Sequence, residues 1–225
     1  MLARQLEYPD SLINVHHCLT SKILHTDAGI ILVEGPVAPD AFEKMHLHPG
    51  LKSFREADKQ HRALVGIAAL KEGRIFLARI DDMIVGYVTF HPPDEFERWG
   101  KGFMPCLIEL GGIEVAPKWR GYGLSSTLLD IAFSGSWVED NTIFATEYYW
   151  HWDLKGTGLS VWQYRDMMGK LFNKVGLEGC STDDPDICSH AANMLMVRRG
   201  KRVSHKLYQQ FQRICVQGIG MEWLV

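Results

Sequence analysis

The sequence is short of several things. No apolar run approaches the roughly 18 to 20 residues of a helical membrane span. The opening stretch, MLARQLEYPD, has no apolar core of signal-peptide length, so no secretion signal and a cytoplasmic location are expected. Charge of one sign is missing too. Lys and Arg total 24 against 27 Asp and Glu, a net −3, and the basic residues are scattered, which argues against general nucleic-acid binding. Five cysteines (Cys18, Cys106, Cys180, Cys188, Cys215) are an odd, widely spaced set that suits reduced thiols better than a disulfide framework. His16, His17 and His25 lack tight ligand spacing, and Cys180, Cys188 and His190 are too sparse for zinc, so no metal site is expected. There are no internal repeats and no low-complexity linker. The chain has 225 residues, 46% of them hydrophobic, enough for one large domain or one domain with extensions.

One stretch organises the rest. Leu107, Ile108, Leu110, Ile113 and Val115 read as a mostly buried strand. The chain then turns at Pro117 and passes through Arg120, Gly121, Tyr122, Gly123, Leu124, Ser125 and Ser126. Leu128, Leu129, Ile131, Ala132 and Phe133 follow at helical spacing. The first N–H groups of a helix have no intrahelical partner, and its dipole adds partial positive charge there. Gly121 and Gly123 let a phosphate approach the backbone, Ser125 and Ser126 offer hydroxyls, and Arg120 adds a permanent charge. On the glycines alone, a phosphate site and a tight corner that binds nothing both remain open.

The flanks are regular. A strand is expected at 29–36, a short helix at 38–45, a helix at 58–70, and a hairpin of strands 73–79 and 83–90 across an acidic turn. Residues 91–106 form a long loop, either an acceptor-side wall or a surface excursion. A strand follows at 142–149, then an aromatic string, a helix capped by Ser160 at 161–175, a strand at 194–197 and a terminal helix at 204–216.

The string Ile113-Glu114-Val115-Ala116-Pro117, followed by Arg120 and Gly123, resembles the acetyl-CoA-binding segment of the GNAT superfamily of N-acetyltransferases. That motif has Arg or Gln, two residues, Gly, one residue, then Gly or Ala; Ser125 takes the last place here. Several strings are similar to a narrower family, the acetoin utilization acetyltransferases: Leu32 to Val37, Ile84 to Thr89, Glu97-Arg98-Trp99, Leu107 to Gly111, Thr146 to Gly156 and Ser189 to Asn193. The resemblance implies an α/β fold with a mixed, largely antiparallel sheet of six or seven strands flanked by helices. It places the acetyltransferase domain at 28–200, with extensions at 1–27 and 201–225. It implies acetyl-CoA as co-substrate, no metal, and a lysine of AMP-forming acetyl-CoA synthetase as acceptor, which the transfer switches off. A small-molecule amine acetyltransferase and a non-catalytic acyl-CoA sensor are the alternatives.

In that family, backbone N–H groups of the central strand polarise the thioester carbonyl, here around Ile113 to Val115. Glu114, acidic inside an apolar strand, is the expected base, and Glu109 the alternative. The tyrosine usual four residues before the exit glycine is Phe172 here, which leaves Tyr148, Tyr149, His151 and Tyr164 as substitute proton donors. Tyr148 and His151 are carried forward beside Glu114 as catalytic candidates. Trp150, His151 and Trp152 either line a channel for acceptor or pantetheine or belong to the core.

Overall fold

The computed structural model describes residues 19–101 and 104–216. His16, His17 and Cys18 lie outside them. Nine strands form one sheet: β1 (Thr20–Thr26), β2 (Gly29–Gly35), β3 (His46–Leu47), β4 (Arg74–Ile80), β5 (Met83–His91), β6 (Leu107–Val115), β7 (Thr142–Glu147), β8 (Glu178–Cys180) and β9 (Met194–Arg199). The spatial order is β1-β2-β4-β5-β6-β7-β9-β8, and β3 adds in parallel to the start of β5. The β6–β7 pair is parallel, and the remaining neighbours are antiparallel.

This is the mixed, largely antiparallel α/β architecture expected, with more strands. β1 gave no period-two signal because it is an edge strand with no buried residue. It pairs with β2 along its whole length, so the expected break at 27/28 falls in the turn of a hairpin.

The helices are α1 (Pro39–Phe42), α2 (Ala57–Ala68), α3 (Leu124–Ser134), α4 (Leu154–Thr157), α5 (Val161–Asn173), α6 (Pro185–Cys188) and α7 (His205–Cys215). α3 lies across β2, β4, β5 and β6 and buries Leu124, Leu128, Leu129, Ile131 and Ala132. α5 starts with a capping box. The Ser160 hydroxyl accepts from the Gln163 N–H, and the Gln163 side chain accepts from the Ser160 N–H. The helix buries Met168 and Phe172.

The core has two parts. The larger joins α3 and α5 to the sheet. The smaller sits where α7 meets β7 and β9, and it packs Trp99, Phe144, Phe211 and Ile214 together. Trp99 and Phe211 stack with ring centroids 6.2 Å apart. α7 therefore anchors the loop that carries Trp99. Phe211→Ala would leave a cavity beneath that loop and is expected to cost about 3–5 kcal/mol, measurable as a lower denaturation midpoint in urea.

Candidate active site

β6 and β7 part early. Only Leu107, Ile108 and Glu109 pair with β7, opposite Thr142, Ile143 and Phe144. From Leu110 to Val115, β6 keeps its ladder to β5 but has no β7 partner. The register shows why it turns away. Thr89 faces Gly112 and Phe90 faces Leu110, so Gly111 is an extra residue, a β-bulge. A Cβ at Gly111 would meet His91 Nε2 at 2.2 Å, so a larger residue there would have to displace the His91 ring.

The open edge carries donors. The Ala116 N–H bonds back to the Val85 carbonyl at 2.9 Å. N–H groups alternate along a strand, so those of Ile113 and Val115 point the other way, into the gap. The Val115 carbonyl faces the same side and accepts from Arg120 Nε at 3.3 Å.

A cleft of about 2240 Å³ fills the space between β6 and β7. Ile113, Glu114 and Val115 line it from β6, and Arg120, Gly121, Gly123, Leu124, Ser125 and Ser126 line it from the turn. Tyr148, His151 and Trp152 face it from the β7 side. The expected residues therefore meet in one place, with one exception. Tyr122 is not on the cleft wall, and its hydroxyl hydrogen-bonds Asp27 in the β1–β2 turn.

The turn fits a diphosphate. Gly121 (φ +88°) and Gly123 (φ +73°) sit in the left-handed region, and a Cβ on either would meet nothing within 4 Å. No side chain caps the start of α3, so its first N–H groups remain available. Trp119, buried on the same wall, has an indole N–H without a partner among the described residues. Arg120 is less free than expected, because its guanidinium pairs with Asp153 at 2.7 Å. Another cation stands at the start of α3. Lys174, at the end of α5, donates to Ser126 Oγ at 3.2 Å and has no carboxylate partner among the described residues. Sequence reasoning missed it because 48 residues separate the pair.

The carboxylates differ. Glu114 is buried, and both its oxygens are engaged. Oε1 accepts from the Lys52 and Ser53 N–H groups, each at 2.8 Å, and Oε2 accepts from the Tyr87 hydroxyl at 2.8 Å. It braces the segment that holds Phe54 against Gly112. Glu109 lies where the strands part, and its carboxylate has no hydrogen bond among the described residues. Burial, then Glu97 and Asp94, push its carboxyl up to about 7. Glu147 on β7, not singled out from sequence, is also pushed up to about 7 by burial and accepts from Trp152 Nε1 at 2.8 Å.

Burial, with Asp184, Asp186 and Glu109 adding to it, drives the Tyr148 hydroxyl up to about 12. Tyr148 and Glu109 are therefore close enough to interact. Burial holds His151 below the ordinary imidazole value, and its ring lies 5.8 Å from Tyr148 and 6.3 Å from Phe54. Phe172, where a tyrosine was looked for, is fully buried in the main core and is not on the cleft wall. Among the described residues no group of three or more His, Cys, Asp or Glu side chains is placed to hold a metal ion. No helix among them is long and apolar enough to cross a membrane.

A central strand that leaves its neighbour, with its freed N–H groups beside a glycine turn at a helix start, defines an acetyl-CoA-dependent N-acetyltransferase of the GNAT fold. The Acetyltransferase (GNAT) family model matches residues 40–152. The chain is 49% identical over 199 residues to acetoin utilization protein AcuA of Bacillus licheniformis, which covers 88% of this chain and 95% of that one. It is 48% identical over the same length to AcuA of Bacillus subtilis. The crystal structure of an acetoin utilization protein from Exiguobacterium sibiricum superposes with a TM-score of 0.86 at 46% identity, covering 88% of this chain and 94% of that one. The chain belongs to this acetoin utilization family of GNAT acetyltransferases.

Lys174→Gln removes the cation beside the turn while leaving the helix amides in place. It is expected to weaken coenzyme A binding about 5- to 20-fold by titration calorimetry. An unchanged Kd would mean that Lys174 faces solvent when the coenzyme is bound.

Proposed function

We propose that the chain is a protein-lysine N-acetyltransferase and that it acetylates, and so inactivates, AMP-forming acetyl-CoA synthetase. Glu109 carries the reading of the chemistry. It is a carboxylate without a hydrogen-bond partner among the described residues, tuned to about 7 at the fork of the strands and lining the cleft. The family resemblance supports the target, and the size of the cleft supports a polypeptide acceptor. Small-ligand pockets run about 300–1,000 Å³, well below the volume here.

The coenzyme supplies an acetyl thioester, and everything else falls to the chain. The Ile113 and Val115 N–H groups stabilise negative charge on a carbonyl oxygen placed in the gap. The α3 N-terminus and Lys174 hold phosphate oxygens. Glu109 takes the proton that the acceptor ammonium must lose before its nitrogen can attack. Its value near 7 leaves a useful fraction ionised at neutral pH while keeping it basic enough for the task. Tyr148, held in its neutral form by burial, can donate a hydrogen bond to the departing sulfur, which takes its proton from solvent. Glu114 shapes this end of the cleft by tying residues 52 and 53 to β6.

The first test is mass spectrometry of purified acetyl-CoA synthetase after incubation with this protein and acetyl-CoA. One new acetyl-lysine with loss of synthetase activity is the expected result. If the coenzyme binds and the synthetase stays unmodified, that target is wrong, and small amines or a sensing role come forward.

The base is tested by pH. A base must be ionised to work, so kcat/KM should rise as pH rises through about 7 and level off above it. Glu109→Gln should abolish that limb and lower the rate about 10²–10⁴-fold. Glu114→Gln should keep the limb but lower stability. A limb that survives in Glu109→Gln would move the base to Glu114 or Glu147.

A further inference from the structure

The side of the cleft around Glu109 and Tyr148 is acidic. Asp94, Glu97, Glu109 and Asp186 line it, and none of the four is ion-paired among the described residues. Two cations line the same side, exposed Lys101 and Arg98, and Arg98 is already engaged. Its guanidinium is taken by Asp183, by Asp184 and by the Ile214 carbonyl. The carboxylates feel one another: Asp94 and Glu97 act on Glu109, and Asp184, Asp186 and Glu109 act on Tyr148. A metal ion does not account for them, since no metal-holding group is found among the described residues.

Aromatic rings run outward from the same place. Tyr148 stacks on Trp150 at 4.7 Å, Trp150 meets Tyr149 at 5.5 Å, Tyr149 meets His190 at 4.2 Å, and His190 stacks on Trp162 at 6.1 Å. Trp150 is 49% exposed and Trp162 53%. A continuous ladder of rings that begins in the catalytic cleft and ends in solvent is a surface to be covered. Its charge surroundings say by what. Exposed indoles that lead by ring contacts to Tyr148, on which Asp184, Asp186 and Glu109 act, favour guanidinium and ammonium groups and disfavour acidic or phosphorylated chains.

We propose that this acidic, aromatic rim is a docking surface for a basic polypeptide segment, with arginine or lysine residues flanking the acceptor lysine. The proposal rests on the protein-lysine acetyltransferase reading and adds the local sequence that the acceptor must carry. The aromatic rings seat the basic side chains, and Glu97 and Asp186 hold their charge. The chemistry at Glu109 is common to all acceptors, so the rim decides which lysine arrives.

The test uses three synthetic peptides of equal length, each with one central lysine, flanked by arginines, by serines or by glutamates. Transfer is followed as kcat/KM at low and high salt, about 0.05 and 0.5 M. The wild-type protein should favour the arginine-flanked peptide over the serine-flanked one by about tenfold or more, through KM, and should use the glutamate-flanked one least. High salt should shrink the ratio. Glu97→Gln with Asp186→Asn, and separately Trp150→Ala with Trp162→Ala, should each bring the ratio below about threefold. The ratio cancels any change in the chemical step shared by the peptides, and the Kd for acetyl-CoA checks that the variants are folded. Equal rates for the three peptides, or a ratio that the variants leave intact, would overturn the docking surface even if acetyl-CoA synthetase is acetylated. Bound acetyl-CoA with no lysine acetylated in any peptide or in the synthetase would instead overturn the acetyltransferase reading itself.

Discussion

β6 and β7 hydrogen-bond over three residue pairs and then separate, and the cleft is the space that opens between them. β7 stays with β9 along its full length, and β6 stays with β5. The sheet therefore splits without losing its outer ladders. An unpaired strand edge inside a protein is expensive, because buried N–H groups need partners. Here the cost is borne at the one place where a ligand oxygen can supply the missing acceptor. The same split sets the depth of the site, since side chains from both lips face one gap.

The charge of the whole chain, net −3, conceals how unevenly the cleft is charged. One part of its wall has an uncapped helix start, two open glycines and Lys174. Another has Asp94, Glu97, Glu109 and Asp186 without ion-pair partners among the described residues. For the basic acceptor proposed above, donor and acceptor would each be drawn to the part that suits them and repelled from the other. Arg120 is already ion-paired. Its pair with Asp153 ties the phosphate turn to a residue that also caps α4, next to Trp152. An arginine committed to that link has less to give a phosphate, which leaves the anion to the amides and to Lys174.

Much of this was legible in the sequence, and the parts that were not share a cause. Strands such as 83–90 and 107–115 carry dense apolar runs, and the glycine turn carries a motif, so local pattern suffices for them. β1 was invisible because an edge strand with no buried face has no alternation to read. Lys174 beside Ser126, Asp153 beside Arg120 and the two amides on Glu114 are contacts across 48, 33 and more than 60 residues, and no local pattern encodes them. The Phe172 position shows the reverse. A hydroxyl looked for by analogy is absent because the side chain packs in the core, while the tyrosine that faces the cleft comes from the aromatic string after β7.

The choice between Glu109 and Glu114 turns on one inserted residue. Five positions apart on a regular strand, the two side chains would point to opposite faces. The bulge at Gly111 changes the count. Glu109 lies opposite His91 and Glu114 opposite Tyr87, four residues apart on β5, so both carboxylates emerge on the same face. Alternation read from sequence has no knowledge of the bulge and places only one of them in the site. Once both are there, their partners separate them. Glu114 receives two amides and a phenol, whereas the Glu109 carboxylate, across the bulge and beside two more carboxylates, accepts no hydrogen bond among the described residues. The bulge at Gly111, packed against the His91 ring, thus puts a hydrogen-bonded carboxylate and an unbonded one on one face of one strand.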